Sequence, residues 1–209
     1  YNRADILFER AIPSVLQQSY GNWELIVISH GSTDSTDERV KKLATKDSRV
    51  RLIRIDRKKL GYPATAENHW LVGPVKPINA GLREVTGNWI ARIDDDDEWQ
   101  PEHLANALSI GKNPKIEFIS SSYKVIDQGE ERQIDPSGNP LIGGVQTWVY
   151  RSYLRFFRSH ISCWRKSWNR VNDTDVAQRM REAKVRTSIH SYISAVIKPR
   201  NANESIGSK

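Results

Sequence analysis

Four consecutive carboxylates, Asp94-Asp95-Asp96-Asp97, directly follow the apolar run Trp89-Ile90-Ala91-Arg92-Ile93. Like charges gathered at the end of a buried strand repel one another, and a divalent cation neutralises them most directly. A donor set made only of oxygens suits Mg2+ or Mn2+ better than zinc, and Mg2+ ordinarily takes one or two protein carboxylates together with substrate phosphates. The chemistry implied is that of a phosphorylated ligand held through a metal. A solvated acidic turn capping the helix after Pro101, or a calcium loop, are the plainer readings; the glycine and ligand spacing of an EF-hand are absent.

A second segment points the same way. The turn Ser29-His30-Gly31-Ser32-Thr33-Asp34 sets a glycine and hydroxyl side chains between an apolar strand and a helix start. Backbone N–H groups there can receive a phosphate or a nucleoside, although a tight turn with an N-cap explains the same residues.

Other elements must hold these two segments together. Ala4, Phe8, Ile12 and Leu16, beside Leu7, Ala11 and Val15, recur every three to four positions and predict an amphipathic helix from Ala4 to Ser19 despite Pro13. The unbroken run Leu25 to Ile28 predicts a strand buried on both faces. Ser35-Thr36-Asp37-Glu38 predicts a capping box opening a helix to about Lys46, and Val50 to Asp56 a second strand. Residues 57 to 74 read as a long polar connection ahead of a third helix, Pro77 to Val85. The strand Asn88 to Ile93 delivers the aspartates, a helix from Glu102 to Leu108 follows Pro101, and Ile116 to Ile126 is strand-like. Asp127 to Gly144 reads as a ligand-closing loop, Asp173 to Ala183 as a helix and Val185 to Ile197 as a strand. This alternation predicts an α/β fold with right-handed crossovers and a mostly parallel sheet, whose ligands lie beyond the carboxyl ends of the strands. Both the Ser29-to-Asp34 turn and the aspartate run occupy such ends.

With 209 residues and 38% hydrophobic content the chain can bury one sizeable core, so a single domain over residues 1–209 is expected. A net charge of +7 suits phosphorylated or polyanionic partners, and the excess Arg and Lys gathers between Arg151 and Lys184. The single cysteine, Cys163, excludes an internal disulfide and argues against a Cys-based zinc site, which fits a reducing compartment. No apolar stretch approaches the roughly 18 residues of a membrane span, and no secretory leader pattern is seen. The expected location is cytoplasmic, and the basic segment also suits peripheral association with a membrane surface.

Five ordered motifs carry a more specific resemblance. Tyr1-Asn2-Arg3-Ala4-Asp5, the stretch Ala11 to Tyr20 leading to Trp23-Glu24-Leu25-Ile26-Val27, then Gly31-Ser32-Thr33-Asp34-Ser35-Thr36, Asn79-Ala80-Gly81-Leu82, and Gly87 to Trp99 resemble, in order and spacing, family 2 glycosyltransferases. The resemblance is close over about residues 1 to 110 and loose beyond. It implies a GT-A fold, Rossmann-like, with about residues 1–110 binding the nucleotide sugar and about 111–209 the acceptor. It further implies a nucleotide-diphosphate sugar donor, a UDP-sugar being expected, and Mn2+ or Mg2+ at an Asp-X-Asp motif. Sugar would pass with inversion to a carbohydrate or glycoconjugate hydroxyl, in polysaccharide or glycoconjugate synthesis, with no nucleic acid partner.

Position by position, the resemblance sets Tyr1 against the donor base and Arg3, His30, Gly31, Ser32, Asn79, Asp94 and Asp95 around the donor. Asp94-Asp95-Asp96 is the Asp-X-Asp, with Asp94 and Asp96 toward the metal; a one-residue shift of that frame stays open. The family's base is an aspartate of a Glu-Asp pair at the start of a late helix. Asn172-Asp173-Thr174-Asp175-Val176 occupies that place, with Asp175 the first choice and Asp173 the reserve. The implied reaction is a single displacement, the base taking the acceptor proton while the metal stabilises the departing diphosphate. Three departures stand out. Ser29-His30 replaces an Asp-Asp often used to read the base, Pro77-Ile78-Asn79 replaces Ala-Arg-Asn, and the apolar strand that relatives place before Tyr-Asn-Arg is missing.

Several residues keep two readings. His190 completes the metal shell or is an ordinary strand residue, while His30, His69, His103 and His160 show no metal spacing. Trp148, Trp164 and Trp168 stack on an acceptor sugar or pack the core. Arg151, Arg155, Arg158, Arg165 and Lys166 meet an anionic membrane or acceptor, or simply face solvent. Two other classes compete. One is a nucleic-acid-binding module on the basic aromatic segment Trp148 to Arg170, which leaves the aspartate run unexplained. The other is a catalytically degenerate GT-A domain, suggested by Ser29, His30 and Ile78.

Overall fold

The computed structural model describes residues 1–137, 143–166 and 171–198. Near its start a proline alters the register of the helix. α1 (Ala4–Ile6) and α2 (Ile12–Leu16) are joined by a π turn, Leu7–Ala11, in which the Ile12 N–H reaches back to the Leu7 carbonyl. Pro13 has no N–H to give to Glu9, and its ring crowds that carbonyl, so the helix widens by one residue just ahead of it.

β1 (Leu25–His30) and β2 (Val50–Ile55) pair in parallel, Leu25 opposite Val50 and His30 opposite Ile55, with α3 (Thr36–Ala44) crossing between them. The expected capping box does not form, because Ser35 makes no side-chain cap bond. Asp34 does the capping instead, its carboxylate accepting from the Thr36 N–H and hydroxyl and from the Ala4 N–H. A charged acceptor outcompetes a hydroxyl at a helix start. The connection read as a loop contains a helix, α4 (Ala66–Val72), capped by Thr65, whose hydroxyl accepts from the Asn68 N–H. α5 (Val75–Glu84), β3 (Trp89–Ala91), β4 (Asp97–Trp99) and α6 (His103–Ile110) follow.

The second half supplies β5 (Phe118–Asp127), β6 (Glu130–Ile134), β7 (Val149–Arg151), α7 (Asn172–Glu182) and β8 (Thr187–Ile197). The loop expected from Asp127 begins instead as a hairpin, β5 pairing with β6 across Gln128 and Gly129, both at positive φ; the rest of that loop, 138–142, lies outside the described residues. Six strands form one sheet in the order β3-β7-β5-β8-β4, with β6 added to β5. The parallel pairing expected holds for β1–β2 and β5–β8, whereas the remaining pairs are antiparallel. The main core lies beneath this sheet and contains Phe118, Trp148, Tyr150, Leu154, Val176 and Met180. Burying side chains of this size contributes about 1.5–3 kcal/mol each, which fastens α7 to the sheet.

Among the described residues β1 pairs only with β2 and β3 only with β7, so the sheet is interrupted between them. Residues of both strands, together with Ile78, Gly81 and Leu82 of α5 and Ala11 and Val15 from the first helical stretch, line one cavity of about 1730 Å³. This cavity leaves Leu25 to Ile28 half-buried rather than buried on both faces.

Candidate active site

Toward the carboxyl ends of β1 and β3 the cavity lining turns polar: His30, Ser32 and Arg57 on one side, Asp94 to Asp97 on the other, with Asn172 and Asp173 from α7. The aspartates occupy a tight turn between β3 and β4, closed by the Asp97 N–H bonding to the Asp94 carbonyl. Asp96 and Asp97 are each 7% exposed. Arg3, expected at the donor, lines the same cavity, with its Nη1 2.8 Å from Asp95 Oδ1 and 4.0 Å from Asp96 Oδ2. Arg10 donates to the main-chain oxygens of Asp96 and Lys198. Arginines of the first helical stretch thus carry part of the neutralisation that four adjacent carboxylates require. Among the described residues, no three His, Cys, Asp or Glu side chains are arranged to hold a metal ion by themselves.

On the opposite side the turn after β1 is clamped by the chain start. Asn2, at φ 49°, accepts the Thr33 N–H at 2.8 Å and gives its own N–H to Ser32 Oγ. Gly31 has φ +69°, and a Cβ there would meet Arg57 Cβ at 2.7 Å, so glycine is required both by conformation and by space. The Arg57 guanidinium stacks on the Tyr1 ring at 4.0 Å. His30 is 4% exposed; burial, then the charges of Arg57 and Lys76, push it down to about 4, so its imidazole is neutral. Its Nε2, like Ser29 Oγ, is buried with no hydrogen-bond partner. A neutral imidazole with an unsatisfied nitrogen on a cavity wall suits a polar ligand group. Asn79 departs from expectation: its amide exchanges two hydrogen bonds with the Ser159 main chain, and it does not line this cavity.

The two candidate bases separate cleanly. Asp175 is 0% exposed, its Oδ2 2.9 Å from Arg179 Nε and 3.8 Å from His160 Nδ1, and it is absent from the cavity wall. Asp173, two residues earlier and roughly 200° around the helix, is half-buried and lines the cavity. Of the two, only Asp173 faces the cavity.

His190 does not approach the aspartates. Asp97 pairs with Ile197, and residue 190, opposite Ser121 where Ile197 is opposite Val125, lies four β5 positions or about 13 Å back along the sheet at ~3.3 Å per residue; its Nε2 meets Ser188 Oγ instead. Trp148 is 3% exposed, packed edge-on against Phe118 and donating to the Gly143 carbonyl, so it is a core residue and no stacking surface. Trp164 packs beside Leu71, Val72, Val75 and Cys163, and Trp168 lies outside the described residues. Within the basic aromatic segment Arg151 stacks on Trp89 and bonds to Gly111, Arg155 bonds to Val85, and Lys166 pairs with Glu67, while Tyr153 and Phe156 are exposed. Sequence reasoning missed Arg57 and Trp70, both on the cavity wall. Arg57 follows the carboxyl end of β2, a position the parallel-strand rule flags; Trp70 sits on the short helix read as a loop.

Comparison with known proteins adds an independent finding. The sequence pattern described as Glycosyl transferase family 2 matches residues 1–172 of this chain. The chain belongs to that family. Among curated relatives, it is 32% identical over 127 residues to the UDP-Glc:alpha-D-GlcNAc-diphosphoundecaprenol beta-1,3-glucosyltransferase WfgD of Escherichia coli, a match spanning 61% of this chain and 44% of WfgD. The chain therefore spans less than half the length of that relative. Among solved structures, S. aureus TarS 1-349 in complex with UDP-GlcNAc superposes with a TM-score of 0.66 at 17% identity, covering 100% of this chain and 59% of TarS 1-349. The mannosyltransferase PcManGT from Pyrobaculum calidifontis, in complex with GDP-Man and Mn2+, gives 0.66 at 17% identity over 97% of this chain and 56% of that one. The fold is that of the GT-A glycosyltransferases. No helix among the described residues is long and apolar enough to cross a membrane.

Proposed function

We propose that this chain transfers a sugar from a nucleotide-diphosphate donor to an acceptor hydroxyl, with inversion at the anomeric carbon. The observation that carries the reading is a single cavity wall shared by the His30–Ser32 turn, the aspartate run and Asp173. Residues of about 1–110 supply the donor side, and those of about 111–209 the acceptor side.

Asp94 and Asp96 are the residues that would hold Mn2+ or Mg2+. The incomplete cluster fits such an ion, which takes one or two carboxylates and fills its shell with substrate phosphates. When bound, the ion supplies charge neutralisation for the diphosphate leaving group. Arg3 fixes Asp95, and through it the shape of the acidic turn. Tyr1, stacked by Arg57, offers its ring to the base, and neutral His30 offers its unsatisfied nitrogen to the nucleoside. Asp173 accepts the acceptor hydroxyl proton as the oxygen bonds to the anomeric carbon and the carbon–diphosphate oxygen bond breaks. Asp175 keeps Arg179 paired and holds the first turn of α7 in place.

The Mn2+ complex of PcManGT supports the metal, and the UDP-GlcNAc complex of TarS a UDP-linked donor. The acceptor printed for WfgD makes a lipid-linked sugar diphosphate the first class to test, in polysaccharide synthesis at a membrane surface. The decisive assay follows nucleoside diphosphate release from UDP-Glc, UDP-GlcNAc and GDP-Man with Mn2+ or with a chelator. Metal-dependent release from one donor is expected. No release, together with no thermal shift by UDP or GDP in the presence of Mn2+, would overturn the reading.

A further inference from the structure

We infer that Trp70 is the platform on which the acceptor sugar lies. At 70% exposure Trp70 is the most exposed large apolar side chain among the described residues. Its neighbours on α4 explain why the indole is not needed for packing. Leu71 and Val72 are buried against Val75 and Cys163, with Tyr62, Trp164 and Val171 around them, so the helix packs without the indole.

Trp70 lines the same cavity as Asp173 and Arg57. A direct tether relates it to the catalytic helix: Asn172 Nδ2 donates to the Leu71 carbonyl at 2.9 Å, joining the residue after Trp70 to the residue before Asp173. The other flank is held by Tyr62 Oη and His69 Nδ1 at 2.8 Å, and the first turn by the Glu67–Lys166 ion pair. The indole is therefore displayed from a fixed support on the cavity wall that also carries Asp173. An indole face complements the apolar C–H face of a pyranose, leaving the hydroxyl edge free to turn toward Asp173.

The other strongly exposed aromatics stand elsewhere. Tyr153 and Phe156 belong to a segment whose Ser152 N–H bonds to Asn88 and whose Arg155 bonds to Val85, at the start of β3 and away from its aspartate end. Trp148 and Trp164 are committed to packing, as described above.

The inference rests on the transferase reading and names its acceptor class, a GlcNAc-type pyranose carrying a diphosphate. The test uses a GlcNAc α-diphosphate ester of a short alkyl chain as acceptor probe. It compares the wild type with Trp70→Ala and Trp70→Phe, and reads probe KM, the affinity for UDP with Mn2+, and Tm. Trp70→Ala raises the probe KM by about tenfold, on the scale of stacking contacts removed by alanine substitution. UDP affinity and Tm stay at wild-type values, and Trp70→Phe restores most of the KM. An unchanged KM in Trp70→Ala, or a proportional loss of UDP affinity, overturns the inference. Wild-type protein that binds UDP but does not use the probe overturns the acceptor assignment alone, whereas wild-type protein that binds no nucleotide removes the transferase reading and this inference with it. Release of Trp70→Ala from phosphatidylglycerol vesicles with no change in KM for the soluble probe would instead make the indole a membrane anchor and refute the platform.

Discussion

Replacing Asp175 by Asn and, separately, Asp173 by Asn makes the same one-group change at two positions with opposite consequences. Asp175 is 0% exposed and pairs with Arg179, whose side chain keeps 22% of its exposure. Removing one partner of a buried ion pair strands the other charge and costs about 3–5 kcal/mol; the residual solvent contact of Arg179 places this pair near the low end, about 3 kcal/mol. In a domain of this size each kcal/mol moves Tm by about 2–4 °C, so Asp175→Asn lowers the midpoint by about 6–12 °C. A second replacement, Arg179→Met, recovers part of that loss because no unpaired charge remains. Among the described residues Asp173 makes only a local bond, its Oδ1 accepting the Thr174 N–H at 2.7 Å, which Asn can retain. Asp173→Asn therefore melts within about 2 °C of wild type while losing a general base, a loss of about 10²–10⁴ in turnover. Differential scanning fluorimetry and nucleotide-release kinetics, run well below both midpoints, measure the two effects. An Asp175→Asn protein that melts like wild type but has lost turnover, or an Asp173→Asn protein that has kept it, refutes the assignment.

Three further substitutions probe the rest of the site. Asp96→Ala abolishes the Mn2+-dependent part of donor turnover and leaves no response to added Mn2+ in a metal titration; turnover that still rises with Mn2+ places the ion elsewhere. Gly31→Ala forces a side chain into the +69° conformation against Arg57 Cβ, a strain of about 1–3 kcal/mol read as a lower Tm and weaker UDP binding; an unchanged Tm would show that the turn can relax. His30 falls from its ordinary value of 6.5 to about 4, so the unfolded chain binds a proton in that window that the folded protein refuses. Its stability contribution is complete above pH 6.5 and declines as pH drops toward 4. His30→Gln should flatten urea-melt stability against pH there by about 1.4 kcal/mol per pH unit, with buried His103 still titrating in both proteins; equal slopes would show that His30 is protonated in the fold.

Much of this molecule was legible along the chain because the governing interactions are local. Periodicity located α3, α5, α6 and α7 and the strands β1, β2, β5 and β8 within a few residues, and the parallel β–α rule put the Ser29-to-Asp34 turn and the aspartate run at strand ends. The ordered motifs named the family. α4 escaped because seven residues with a single Thr65 cap leave little periodic signal. Other choices belonged to the tertiary structure alone. Asp173 and Asp175 are chemically identical and two residues apart, and only the docking of α7 on Phe118 and Trp148 decided which faced the cavity. His190 was separated from Asp97 by the register of β4 against β8. Tryptophan content was visible in the sequence, but its division between a core indole at Trp148 and an exposed one at Trp70 was not. A sequence fixes which groups a helix or strand carries and at what angular spacing; which side of that element meets its neighbours is set by contacts between residues far apart in the chain.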